Sequence, residues 1–559
     1  MTRTIRGTLA LSLRDRLASI PTSGVFGTKR LFGLLLLALL SSGTGNRVAT
    51  AADPPVTDPL TVRAALESVR ADDLNAHVAV LADDSFEGRD GGTPGGHAAA
   101  KYLALHFEKY GLEPAGEDGS YLQVFGNDFR NVLGLWRGSD PTLADDVIVI
   151  GAHFDHVGYG TRNDSYGPYG VVHNGADDNA SGTSALLELI EALADAELRP
   201  RRSILFCLWD AEEDGLLGSI HWLDHPTVAR DRVRFSINLD MIGRLREEQL
   251  TVYGERTAPG LRTMLARLND EPFRLAFDWE LAADSDHHPF ITKGIPTLMF
   301  HTGLHDTYHR PTDDPETLDY DGIERVTRYV GRVLWELADG EQTWVFRGES
   351  WNEGEEFRKR FETPAPVGPP RLGLALEMTS GNAEGTDRSA ADDQAFFVTV
   401  AAVEPGSPAA AAGLEPGMRI QAVDGLPLRS EVDFWNRINE APQEIVVSGM
   451  RDEDSTPLKL TVELAGAPSR VGLSWRMDEG QGDLALVTRI GSMTRAERAG
   501  LQAGDRIHRI GDEPVRSTDQ IRQRLTTADG SLDLWVEREG KLRRCRLDFG
   551  GDRPSSSGS

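Results

Sequence analysis

VIVIGAHFDH, Val147–His156, sets four β-branched residues in a row and then stops abruptly at His153, Asp155 and His156. An unbroken apolar run of that kind is a strand buried on both faces, the signature of a parallel sheet covered by helices. Such a sheet presents its chemistry at the carboxyl ends of its strands, so the polar residues that end this run mark where function is sought.

Three further segments repeat the pattern: SILFCLWD (203–210), FSINLD (235–240) and PTLMFH (296–301). Between them lie amphipathic stretches, SGTSALLELIEALADA and GIERVTRYVGRVLWELAD, with apolar residues at helical spacing. Strands alternating with helices from about 58 to 340 predict an α/β, three-layer αβα domain around a mostly parallel sheet. Cys207, within SILFCLWD, is expected to be a buried, inert thiol and Trp209 a core residue. With Cys545 as the only other cysteine, no disulfide framework is expected.

The strand ends carry His153 and Asp155, then Glu212 and Glu213, then Asp240, then His305 and His309. HNGADDNASG (173–182) adds Asp177 and Asp178 before a helix. Neutral imidazole with carboxylate suits zinc. Five ligands exceed what one tetrahedral ion needs, whereas two ions sharing one carboxylate would use them all. Asp177 is read as a structural cap, and His156 and His173 as neighbours of the site that do not ligate.

Near residue 345 the pattern breaks into RGESWNEGEEFRKRFETPAPVGPP, and 346–370 reads as a linker. An internal repeat follows. GSPAAAAGLEPGMRIQAVDGLPL (406–428) recurs as GSMTRAERAGLQAGDRIHRIGDEPV (491–515), and RLGLAL and RVGLSW open the two units. Units this long are small domains in tandem, at 371–466 and 467–551, with a disordered tail at 552–559.

At the other end, Lys29-Arg30, the apolar run LFGLLLLALL (31–40) and Ala49-Thr50-Ala51 have the form of a signal peptide over 1–51. The chain is therefore expected to be exported (periplasmic, cell-surface or extracellular), with no stable membrane span after processing. A formal net charge of −28 over 559 residues argues against nucleic acid as a partner.

GAHFDH, NGADDNASGTSALLEL, DAEEDGLLGS, NLDMIGR, SDHHPF and YHRPTDD, in that order, resemble the co-catalytic di-zinc aminopeptidase family, which also has carboxypeptidase and glutaminyl cyclase branches. The resemblance covers about 60–340, which places a di-zinc metallopeptidase domain at 52–345. It leaves no room for the protease-associated insert of some relatives. The two repeats resemble PDZ domains.

The family resemblance implies two Zn2+ ions. Asp178 would bridge them, with His153 and Asp240 on one ion and Glu213 and His309 on the other. Glu212 would be the general base for attack by a metal-activated hydroxide, Asp155 the carboxylate that orients His153, and His287 a residue lining the site. His309 is preferred to His305 and His301 as the last ligand.

The implied activity is removal of N-terminal residues from peptides. The alternatives are a carboxypeptidase- or cyclase-type relative, or an idle PDZ protein that only binds peptides. For the repeats the resemblance implies capture of peptide or protein C-termini at Leu372-Gly373-Leu374 and Val471-Gly472-Leu473.

Overall fold

The computed structural model describes residues 58–366, 368–377, 396–451 and 456–550, which all belong to one compact unit. The expected signal peptide, the C-terminal tail and a long insert in the first repeat, TSGNAEGTDRSAADDQ (379–394), lie outside them. Among the described residues no helix is long and apolar enough to cross a membrane.

Nine strands form the sheet of the first domain: β1 (Glu113–Pro114), β2 (Leu122–Phe125), β3 (Phe129–Trp136), β4 (Val147–His153), β5 (Ser203–Trp209), β6 (Val233–Leu239), β7 (Gln249–Tyr253), β8 (Arg274–Asp278) and β9 (Thr297–His301). They run in the order β1-β3-β5-β4-β6-β9-β7-β8, with β2 on β3. The centre, β5-β4-β6-β9, is parallel. Antiparallel pairings flank it, β3 on β5 and β7 on β9.

Every residue of β4 and β5 is buried. The two-residue period of a strand divides these apolar runs between the faces. Ile148, Ile150, Ile204 and Phe206 enter one core, while Val149, Leu205, Cys207 and Trp209 enter the other. That division explains why the sequence shows no polar alternation.

The first core is covered by α1 (Pro59–Leu66), α2 (Ala71–Leu81), α3 (Pro94–Lys109) and α4 (Gly182–Asp195), with α6 (Leu261–Leu268) and α8 (Tyr320–Asp339). The second is covered by α5 (Leu217–Asp224) and α7 (His287–Thr292) through Trp222 and Phe290. Cys207 is fully buried, and burial raises its thiol pKa well above the ordinary value.

The stretch read as a linker is not extended chain throughout. A short turn at Gly348–Asn352 leads into α9 (Glu355–Glu362). Phe357 and Phe361, one helical turn apart, lay their rings 6.1 and 5.9 Å from that of Trp279. The dense charge of this segment conceals an apolar stripe that docks it on the first domain.

The two repeats share one topology. The first has β10 (Leu374–Leu376), β11 (Val398–Val403), β12 (Arg419–Val423), β13 (Leu426–Pro427), β14 (Glu444–Met450) and β15 (Pro457–Glu463). Its order is β10-β11-β12-β14-β15, with β13 on β12. The second repeats this order with β16 (Leu473–Met477), β17 (Ala485–Ile490), β18 (Arg506–Ile510), β19 (Glu513–Pro514), β20 (Ser531–Arg538) and β21 (Lys541–Asp548). Helices Glu431–Glu440 and Thr518–Thr527 close the two cores.

Candidate active site

The parallel strands end side by side, and β4 and β5 are in register to their last residues, His153 opposite Trp209. Whatever follows β4, β5 and β6 is therefore gathered at one edge. Two groups of potential metal ligands form there, His153–Asp178–Asp240 and His156–Asp178–Glu213–His309, with Asp178 common to both.

Asp178 Oδ1 lies 3.3 Å from His153 Nε2, and its Oδ2 lies 3.0 Å from His309 Nε2. Asp240 Oδ1 is 3.4 Å from His153 Nε2. Glu213 Oε2 is 3.2 Å from His309 Nε2, and its Oε1 is 2.8 Å from His156 Nδ1. One carboxylate thus turns one oxygen to each group.

The donor chemistry fits two dications. His153 Nδ1 donates to the main-chain carbonyl of Asp155 at 3.2 Å, and His309 Nδ1 to that of Asp164 at 2.5 Å. A carbonyl only accepts, so the proton sits on Nδ1 in each ring, and Nε2 is left to face the carboxylates as a ligand atom. Those carboxylates favour positive charge beside the rings. His309 is pushed up to about 11, against the effect of burial, by its hydrogen bonds to Asp178 and Glu213. Burial acts to raise Asp178, yet His153 and His309 hold it well below the usual carboxylate range. The surroundings favour a positive charge at each position.

Glu212 and Glu213 follow β5 on a loop held from below. Asp155 accepts the N–H of Glu212 at 3.1 Å on one carboxylate oxygen and that of Glu213 at 3.2 Å on the other. Asp155, expected to orient His153, faces it twice: its carboxylate is 3.7 Å from His153 Nδ1 and its own carbonyl is 3.2 Å away. The same carboxylate also fixes the backbone from which the paired glutamates diverge. Glu212 does not join either group. Burial, reinforced by Glu213, Asp286 and Asp240, raises its pKa well above the ordinary value.

His156, expected to stand aside, is in the second group, and its Nε2 has no partner among the described residues. Asp177 does not cap α4. Its carboxylate accepts the Gly243 N–H at 2.6 Å and faces His305 Nε2 at 3.1 Å, which places His305 outside both groups. His301 accepts the Gly303 N–H and His173 bonds Ser165, and neither joins a group. His287 does not line an open site. It is buried at the start of α7, with its ring 6.1 Å from that of Tyr253 and pushed down to about 4 by burial.

Two supports escaped the sequence reading. Asp313, wholly buried, accepts the N–H groups of Asp177 and Asp178 at 2.9 and 3.1 Å. Arg89, also wholly buried, donates to the carbonyls of Leu81, Phe154, Asn174 and Gly175 at 2.7–2.9 Å, under the loops that carry Asp155 and Asp178. A cavity of about 150 Å3 opens beside Glu213, lined by five carboxylates: Asp90, Asp155, Asp164, Glu213 and Asp214.

In the repeats, Leu372, Leu374, Val471 and Leu473 are buried, and Gly373 and Gly472 take positive φ at the turns between them. The Gly472 N–H is bonded by Ser469 Oγ at 2.8 Å.

Comparison with known proteins agrees with this geometry. The profile of Peptidase family M28 matches residues 131–334, and that of the PDZ domain matches 487–538. The chain is 26% identical over 406 residues to Leupeptin-inactivating enzyme 1 of Streptomyces exfoliatus, a match covering 68% of this chain and 82% of that one. It is 28% identical to Aminopeptidase YwaD of Bacillus subtilis, covering 40% of this chain and 48% of that one. Among solved structures, the Legionella pneumophila LapA aminopeptidase aligns over 52% of this chain and 77% of that chain, at 20% identity and a TM-score of 0.41. The chain is a zinc metallopeptidase whose residues 131–334 match Peptidase family M28 and whose residues 487–538 match the PDZ domain.

Proposed function

We propose that this protein is an exported aminopeptidase that holds two zinc ions, one by His153, Asp178 and Asp240, the other by Asp178, Glu213, His309 and His156. The observation that carries this reading is Asp178, whose two oxygens face histidines of opposite groups. Zinc at such a site polarises the scissile carbonyl and lowers the pKa of water.

The protein's own residues do the rest. Glu212, free of both groups, takes the proton of the attacking water and returns it to the departing amine. Asp155 keeps the backbone of Glu212 rigid through its bond to the amide, so the carboxylate does not have to be positioned anew in each turnover. The acidic cavity beside Glu213 suits the ammonium of a free N-terminus and disfavours a terminal carboxylate, which supports aminopeptidase over carboxypeptidase activity. Peptide capture is assigned to the first repeat, where β10 is an edge strand able to accept another. In the second repeat the turn amide of Gly472 is already engaged.

Glu212→Gln tests the core of the proposal. Turnover of a free-amine peptide should fall about 10²–10⁴-fold with zinc content unchanged, and an N-acetylated version should be resistant to both proteins. Loss of zinc along with activity would make Glu212 a ligand. Equal cleavage of the blocked peptide would exclude an aminopeptidase.

A further inference from the structure

We propose a third metal site, separate from the two groups at the strand ends, in which His77 on α2 and Glu188 and Glu191 on α4 bind a divalent cation of the zinc type. Their ligand atoms all lie within 4.8 Å of one another. None of the three belongs to either group at the strand ends.

The cluster is more than acidic residues close together. Glu188 is 3% exposed, and its Oε1 has no hydrogen-bond partner among the described residues. Among the described residues the side chain that faces it is His77, whose Nε2 is 3.5 Å away, too long for a good hydrogen bond. A buried carboxylate left in that state is costly unless a full positive charge compensates it. Glu191, three residues on, lies on the same helical face and brings a second negative charge to the same place.

His77 is prepared as a ligand. Its Nδ1 is 2.7 Å from the Tyr102 hydroxyl, which fixes the ring with Nε2 turned toward Glu188. Glu191 is held from outside by the Tyr110 hydroxyl, which also accepts from Lys109 Nζ at 2.7 Å. The His106 ring stands 4.9 Å from that of His77, and its Nδ1 has no partner among the described residues.

One neutral imidazole and two carboxylates carry two negative charges, which a dication neutralises. Nitrogen with oxygen donors selects zinc or a similar ion over calcium or magnesium. Glu188 sits about 9 Å along α4 from its first residue, Gly182, at 1.5 Å per residue. A cation there would pin α2 to the helix whose leading loop presents Asp178. The role is structural, because both carboxylates are spent as ligands and none is left to activate water.

The test is zinc stoichiometry by elemental analysis on the full chain, saturated with zinc chloride and then dialysed. Glu188→Gln, which keeps the shape and removes the charge, should carry one equivalent less than the parent. Asp178→Ala, which disrupts the catalytic groups, should retain one equivalent that Asp178→Ala/Glu188→Gln loses. His77→Gln should repeat the loss of one equivalent, which covers the case of a Glu188 variant that folds poorly. The Tm drop produced by a chelator should be smaller in Glu188→Gln than in the parent. Unchanged stoichiometry in Glu188→Gln and His77→Gln, or no zinc retained by Asp178→Ala, would overturn the proposal and leave a protonated His77 paired with Glu188. Because the Asp178 variants separate the sites, a failure of the catalytic reading is read independently.

Discussion

The two repeats share a fold but not a manner of attachment. The second is fixed to the catalytic domain through buried charge: Arg262 bonds Glu537 at 2.8 Å, Arg256 bonds Asp478 at 3.1 Å, and Arg506 bonds Glu362. Gln481 accepts the N–H of Gly260 at 3.2 Å and donates to the Glu255 carbonyl at 3.0 Å. Main chain joins main chain where Leu275 N–H meets the Glu539 carbonyl at 2.9 Å. The first repeat reaches outward to the second, through Asn439 to the Met493 carbonyl at 2.8 Å, Arg498 to Asn436 at 2.6 Å, and Arg495 to Glu440. Fold alone therefore does not say whether a repeat is a tether or a wall. Ion pairs sealed from water make the second repeat part of the enzyme's body, while the contacts named for the first repeat run to the second.

The contrast breaks most severely at Glu537. Its carboxylate faces Arg262 with both side chains almost fully buried. Arg506 also acts on it, so removing the acid strands guanidinium charge in the interface. Leaving a buried ion unpaired costs about 3–5 kcal/mol. Glu537→Ala should lower Tm by roughly 5–10 °C, with activity on short substrates following the fraction folded. A calorimetric scan beside an activity assay decides it. A Tm within a degree of the parent would mean that the second repeat is no more fixed than the first.

The strand ends were legible because burial on both faces writes itself as apolar runs, and the polar residues that stop those runs stand out. His153, Glu213, Asp240 and His309 follow such strands and gather around Asp178, although the choice of these five among the candidates came from the family resemblance. His156, Asp313 and Arg89 were not legible. Each acts on a backbone or side chain far away in sequence, and nothing local distinguishes a buried aspartate in PTDD from a solvated one. The docking of α9 was legible in principle, since Phe357 and Phe361 stand four residues apart, but the proline and charge around them favoured a linker. The buried arginines of the interface carry no local signal, because an arginine near a strand is usually exposed.

A smaller effect comes from pH. Glu537 is held down to about 2: burial pushes it up, but Arg262 and Arg506 outweigh that. A depressed acid adds stability above its unfolded pKa and loses it as pH falls toward the folded value, so this contribution fades from about 4.5 down to about 2. Glu255 has the opposite sign. It is wholly buried with neither carboxylate oxygen partnered among the described residues, and burial pushes it up to about 8 despite Arg262 and Arg256. Its contribution is complete below about 4.5 and is lost as pH rises through about 8. These two contributions together should therefore be largest near pH 4.5, where the windows meet. Glu255→Gln, neutral at every pH, should raise Tm at pH 9 by several degrees relative to the parent and change it little at pH 5. Equal shifts at both values would show that Glu255 does not titrate across that range.

The least effect is expected at the contact between the repeats. Asn439 donates to the Met493 carbonyl at 2.8 Å, and its own carbonyl accepts the Ser469 N–H at 2.8 Å. Only the side-chain bond is removed by Asn439→Ala, and a neutral hydrogen bond contributes about 0.5–1.5 kcal/mol net. The catalytic domain keeps every contact with the second repeat, so kcat on a short free-amine peptide should be unchanged and Tm should move by about 2 °C or less. What should change is the hinge. The residues just after the first repeat, around Ala465–Ser469, should be cut faster by a protease of broad specificity, because local opening is the quantity the lost bond controls. Faster cutting with intact activity would place the flexible joint between the repeats. A fall in activity on short peptides as steep as that of Glu537→Ala would instead couple the first repeat to catalysis, and the division between wall and ligand module would be lost.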